Sequence, residues 1–277
     1  MTAAGRPASR PAKPGRSALV PAGIVAFLII TWFSISEQFG IGLDVGGLIE
    51  DITRGGGILV RDDPDPAQRG LLQPNWGFVP RTLEPMLETA QIAVIAAAIG
   101  CGIALPITFL VSRVTAPNRP VLTIGRAALS VIRAIPDILY ALVFVAATGT
   151  GALAGIAALV LFNLGVVVKL LSETVDGVDD GPVEAGRATG ATRTQTVRWG
   201  VLPQVLPNYV AYSLYSFELN IRAAAVIGIA GAGGIGNLLF TQYRFFNWAN
   251  VSIIVIELFL LVMTIEFISI WLRRRLV

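Results

Sequence analysis

Residues 89–112 read TAQIAVIAAAIGCGIALPITFLVS, a run without one charged side chain. Wound as an α-helix at about 1.5 Å per residue, such a run crosses the ~30 Å hydrocarbon core of a bilayer. Uncharged runs of the same kind occupy residues 17–36 and 138–168, the latter interrupted by Gly149-Thr150-Gly151. The interruption reads as a tight glycine turn between two helices, one beginning near Ala127 and the other ending near Leu171. Two further spans cover about 208–230 and 249–272. The expected fold is an all-α integral membrane protein with six transmembrane helices. A tail covers 1–17, a first span 18–36, a polar segment 37–88 and a five-span core 89–277.

Composition points the same way. The chain is 54% hydrophobic and only 14% charged, with mean hydropathy +0.70, whereas a soluble domain carries roughly 25% charged residues. Lipid must therefore solvate most of it. The absence of histidine excludes imidazole metal sites and histidine proton relays. Cys101 is the single cysteine, so no intrachain disulfide framework exists. No catalytic residue, metal site or cofactor is expected, and nucleic acid is not among the expected partners. Basic residues ahead of the first run, with Ser34-Ile35-Ser36 after its centre, would also suit a cleaved leader. The run is longer than a typical signal core, so it is read as a retained anchor.

Lys and Arg set the orientation. Arg6, Arg10, Lys13 and Arg16 lie in the tail; Arg113, Arg119 and Arg126 follow the second span. Lys169, Arg187, Arg193 and Arg198 flank or occupy the fourth-to-fifth connection, and Arg273-Arg274-Arg275 close the chain. An even number of spans puts all four groups, and both termini, on the cytoplasmic side. The acidic segment 37–88, the turn at 149–151 and residues 231–248 fall on the other.

The fourth-to-fifth connection, 181–207, is the informative loop. Pro182 suits the first turn of a helix and Glu184 suits its dipole. Ala185, Gly186, Ala188, Gly190 and Ala191 leave almost no side-chain bulk, while Arg187 and Arg193 can pair at the rim with an approaching protein. The plainer reading, an amphipathic connector between two spans, stays open on composition alone.

Glu184-Ala185-Gly186, three residues, Gly190, then Leu202-Pro203 resembles the EAA coupling loop of ABC importer permeases. Gly186 stands in place of the second alanine and Gly200 where isoleucine is usual. Together with Lys169-Leu170-Leu171-Ser172-Glu173, Arg187-Ala188-Thr189-Gly190-Ala191 and Gly231-Ala232-Gly233-Gly234-Ile235-Gly236, the loop is similar to the phosphonate-import permeases from about Gln91 onward. The resemblance implies a type I importer permease of the bacterial inner membrane. Its substrate would be phosphonate or a related oxyanion, phosphate or phosphite. The implied partners are a cytoplasmic ATP-binding subunit dimer, an extracytoplasmic phosphonate- or phosphate-binding protein and a second copy of the chain. Glu184, Ala185, Gly186, Arg187, Gly190 and Arg193 would then couple to the ATPase. The chain itself has no G-x-x-x-x-G-K-[ST] phosphate loop.

The fifth span carries Ser216, Glu218, Asn220 and Arg222 as candidates for the translocation pathway. Glu218 and Arg222, spaced i, i+4, share a helix face and neutralise each other. Such a pair either holds the span against its neighbours or presents Arg222 to a passing oxyanion. Arg133 and Asp137 have the same spacing at the start of the third span, as do Lys169 and Glu173 at the end of the fourth. Arg133, Asp137 and Lys169 are therefore candidates for a cytoplasmic gate. The segment 231–236 reads as a tight turn. A secondary anion transporter would show internal repeats, which are not seen, and an intramembrane hydrolase would need a motif such as G-x-S-x-G, which is missing.

Overall fold

The computed structural model describes residues 19–35, 59 and 63–276. The tail expected at 1–17, and the segment 37–62 apart from Leu59, lie outside them. The chain divides into two units, Met1–Gly56 and Gly57–Val277. In the first, α1 (Leu19–Ile35) is apolar along its 17 residues, about 26 Å of helix and short of a full bilayer core.

In the second unit, all the regular structure among the described residues is helical. The long elements are α2 (Val79–Val111), α3 (Arg119–Ala134), α4 (Asp137–Thr148) and α5 (Ala152–Asp176). They are followed by α6 (Asp180–Ala188), α7 (Arg193–Thr196), α8 (Leu202–Ile229), α9 (Gly234–Arg244) and α10 (Trp248–Leu276). Four helices, α2, α5, α8 and α10, are long and apolar enough to cross a membrane. Among the described residues, a fifth span is reached by taking α3 and α4 together, and they meet at 87°. The six expected spans are thus four long helices, one broken pair and the short α1.

Proline explains the break. Pro136 has no N–H to continue a helix, and it drives the preceding Ile135 into extended backbone, φ −90° and ψ 124°. Elsewhere helices outrun their apolar cores. α2 begins at Val79 rather than 89, because Arg81, Glu84 and Glu88 interrupt hydrophobicity without interrupting the backbone ladder. α8 likewise starts at Leu202, before the expected 208.

Small residues let the helices approach. Ile92 and Ala96 of α2, Ala141 of α4, Ala158 and Leu159 of α5, and Ala223, Ala224 and Ile227 of α8 form one buried cluster. Outside it, Val94, Ile95, Ile99 and Ile103 of α2 and Val255, Phe259, Leu260 and Phe267 of α10 are exposed. Apolar surface of that extent suits lipid or protein, not water.

The two ends of the bundle differ. At one, the loop after α2 meets α3, the end of α5 and α7. Asp176 accepts hydrogen bonds from Ser112 Oγ, Arg113 N and Arg126 Nη2, each at 2.6 Å. At the other, the Gly151 N–H donates to Gly231 O at 2.9 Å, bringing the two glycine-rich turns together. The turn expected at 231–236 is present, with Gly231, Gly233 and Gly234 at positive φ. It folds straight back onto α8: a Cβ on Gly236 would lie 2.0 Å from Ala225 O.

Candidate functional site

α6 is short, nine residues, and both its ends are chemically specified. Asp179 caps the start, its carboxylate accepting from Gly181 N at 3.0 Å. At the finish, Ala191 N–H donates to Gly186 O and Gly190 N–H to Arg187 O, both at 3.0 Å. With Gly190 at φ +76° this is a Schellman stop, which needs a left-handed residue just past the cap. Thr192 and Gln195 then form a capping box that starts α7.

Val183 anchors α6 from below. Its side chain is buried with Leu171, Val175, Val201 and Val205, while Glu184, Ala185, Arg187, Ala188 and Gly190 stay exposed. Gln204 braces the helix start, accepting from Asp179 N at 3.0 Å and donating to Asp179 O at 3.3 Å. The two departures from the usual loop differ in consequence. A Cβ on Gly186 would make ordinary contact with Thr196 at 3.5 Å, so alanine fits there. A Cβ on Gly200 would press on Pro182 O at 3.2 Å, so glycine here lets α6 sit closer to α8.

Arg193, expected to reach a partner, turns inward instead. Its guanidinium donates to the carbonyls of Thr115 (2.6 Å) and Ala116, tying α7 to the loop after α2, because those carbonyls have no helical partner at a helix end. Arg187 stays exposed, with no hydrogen bond or ion pair from its side chain among the described residues.

Glu218 and Arg222 pair as their spacing predicts. Glu218 is buried, and its second oxygen accepts from Arg273 of α10 at 3.1 Å. One buried carboxylate therefore holds two arginines, of which Arg222 is about half exposed. Ser216 and Asn220 behave otherwise. Ser216 donates to Asn163 Oδ1 of α5, whose Nδ2 donates to Ala96 O of α2 at 3.0 Å. Asn220 Nδ2 donates to Ala93 O at 3.2 Å. Both residues are sealed between helices, on the face of α8 away from Glu218, so they pack the bundle rather than line an open route.

The gate candidates separate. Arg133 and Asp137 are not paired, since the Pro136 break puts them on α3 and α4 at 87° to each other; i, i+4 spacing joins side chains only on a continuous helix. Asp137 Oδ1 instead accepts from Ile138 N. Lys169 and Glu173 do pair, at 2.6 Å. Arg133 and Lys169 together border a cavity of about 420 Å³ that Arg113 and Arg126 also line.

Sequence reasoning missed three contributors. Arg273 was readable only as part of a terminal basic cluster. Asn163, in an uncharged run, had nothing to mark it beyond being an amide among aliphatics. Trp199, just after α7, is 72% exposed, with the Arg198 guanidinium 5.3 Å above its ring.

Residues 102–277 match the family model described as binding-protein-dependent transport system inner membrane component. The chain belongs to this family. Within it, the chain is 41% identical over 190 residues to the phosphate-import permease protein PhnE of Mycolicibacterium smegmatis, a match covering 69% of this chain and 36% of that one. It is 36% identical over 192 residues to the phosphite transport system permease protein PtxC of Stutzerimonas stutzeri, covering 69% and 70% respectively. The chain thus spans little more than a third of the mycobacterial relative and about two thirds of the other. Among solved structures, an inward-facing MetNI methionine ABC transporter chain superposes with TM-score 0.64 at 24% identity, over 73% of this chain and 99% of that one. The membership confirms the all-α importer-permease fold and an inner-membrane, multi-pass protein.

Proposed function

We propose that this family member is the permease subunit of an ABC importer for a phosphorus oxyanion (phosphonate, phosphite or phosphate), powered by ATP hydrolysis in a separate subunit. The observation that carries the reading is α6: a capped, Schellman-stopped helix, anchored through Val183, that exposes Glu184, Ala185 and Arg187. A helix so bare on its outer face fits a groove on another protein, and its rigid seat on α5 and α8 passes motion to the spans. The two relatives named for phosphate and phosphite import support the substrate class.

In this reading the end bearing Arg113, Arg126, Lys169 and Arg187 faces the cytoplasm, with both termini, by the positive-inside rule. The glycine-turn end meets an extracytoplasmic binding protein. One coupling helix per chain makes a symmetric pair of permeases, gripped by an ATPase dimer, the natural assembly. Arg222 lines the route, with Glu218 holding its rotamer and tempering its grip, because an anion bound too tightly is not released.

The test is uptake by proteoliposomes carrying the complete complex, with ATP enclosed. Wild type should accumulate phosphonate, phosphite or phosphate only with ATP. Ala185→Trp, which adds bulk to the docking face but none to the bundle, should abolish uptake and release the ATPase subunits. ATP-independent uptake at the wild-type rate would refute the proposal.

A further inference from the structure

A second cavity, about 540 Å³, opens between α3, α5, α8 and α10. Arg133, Lys169 and Arg273 line it with Tyr212, Tyr215 and Ala211, and no carboxylate is among its lining residues. Ala211, Tyr215, Glu218 and Arg222 fall at spacings of four, three and four, which is one face of α8. The cavity therefore continues, toward the basic end, the same face that bears Arg222.

Each cation reaches it for a structural reason. The stem of Arg133 lies across the bare α-carbon of Gly165, where a Cβ would come within 2.8 Å of its Cγ. Lys169, one turn further along α5, points to the same space. Arg273 arrives from α10 and is held at Glu218. Neutralisation is incomplete: Lys169 has Glu173 as partner, and Arg273 shares Glu218 with Arg222. Arg133 has no ion pair among the described residues. The cavity thus keeps an excess of positive charge. Of its two phenols, Tyr212 O–H is engaged with Thr174 Oγ1 at 3.0 Å, which leaves Tyr215 as the hydrogen-bond donor at the wall.

Resting on the importer reading, we propose that this cavity is an inner subsite for a phosphate-type anion, the station from which the oxyanion leaves for the cytoplasm. Guanidinium groups hold such an anion by paired N–H···O bonds. The volume exceeds one oxyanion and leaves room for water, which suits weak, transient holding. Arg222 and this subsite are then successive stops on one helix face, with Glu218 between them as shared counter-ion to Arg222 and Arg273.

A subsite facing the cytoplasm must feel the anion on that side. In phosphatidylcholine proteoliposomes containing the complete complex and ATP, the initial uptake of methylphosphonate is measured with increasing inorganic phosphate inside, ionic strength being balanced with chloride. Wild type should slow as internal phosphate rises. Arg133→Gln should raise the phosphate needed to halve its own rate about tenfold, the worth of one charge-assisted hydrogen bond. Tyr215→Phe, which only removes a hydroxyl, should shift it in the same direction by less and guards against a folding defect in the first variant. Equal half-slowing concentrations in all three, or no slowing of wild type, overturns the subsite. Slowing by phosphatidylglycerol in the bilayer, in place of phosphate, would assign the pocket to lipid headgroups and remove it from the route. Failure of wild type to import any phosphorus oxyanion with ATP would instead sink the importer reading, and the subsite with it.

Discussion

Gly190→Ala isolates the stop of α6 from every other feature of the site. A Cβ at this position would meet nothing within 4 Å, so no clash contributes. The whole cost lies in the backbone, because Gly190 sits at φ +76°, and an L-residue in the left-handed region costs about 1–2 kcal/mol. The bonds at stake are Ala191 N–H to Gly186 O and Gly190 N–H to Arg187 O. Their opening should become roughly 5–30 times more frequent. Hydrogen–deuterium exchange of the permease in detergent reads this directly at residues 190 and 191. Gly190→Asn, which tolerates the left-handed conformation, should recover most of the protection. If the stop also seats the ATPase, the affinity of that subunit falls by no more than the same factor. Unchanged exchange in Gly190→Ala, or equal loss in the alanine and asparagine variants, would refute the argument.

The other predictions concern the bundle and the route. Asn163→Leu leaves the Ser216 hydroxyl and the Ala96 carbonyl without their shared partner and should cost about 1–3 kcal/mol, read as a lower melting temperature in detergent. A cycle with Ser216→Ala should give a coupling near the ~0.6 kcal/mol typical inside membranes, and zero coupling would show that the contact does not matter. Gly236→Ala places a methyl 2.0 Å from Ala225 O, so α9 must move away from α8, and overpacking of about 1–3 kcal/mol or more should appear as loss of monodisperse protein. A normal elution profile and melting point would count against that packing. Arg222→Ala should abolish uptake while the assembled complex still purifies intact; wild-type uptake by this variant would end its role on the route.

Much of the site was legible in the chain because its signals are local. Pro182, Glu184 and Gly190 act on neighbours a few residues away, so a short helix could be read there. The caps at Asp179, Thr192 and Gln195 emerged only in the structure, and Gln204 braces the helix start from 25 residues further on. Glu218 and Arg222 are similarly near. What failed was inference from spacing across a break: Arg133 and Asp137 have the register of a pair, yet Pro136 turns the chain between them. The expected start of α2 failed for a different reason. Apolarity marks where lipid begins, whereas a helix continues for as long as its N–H groups find carbonyls.

By itself, the order of residues determined that long uncharged stretches become helices, that basic residues gather at one end, and that a small, bare helix interrupts them. Those outcomes depend on solvent preference and on hydrogen bonds within a few residues. Only the tertiary structure decided that Arg193 turns inward, that Ser216 and Asn220 are sealed between helices, and that Arg273 shares Glu218 with Arg222. Each of those is a choice among partners far apart along the chain, and helix crossing, not sequence distance, determines which of them come within reach.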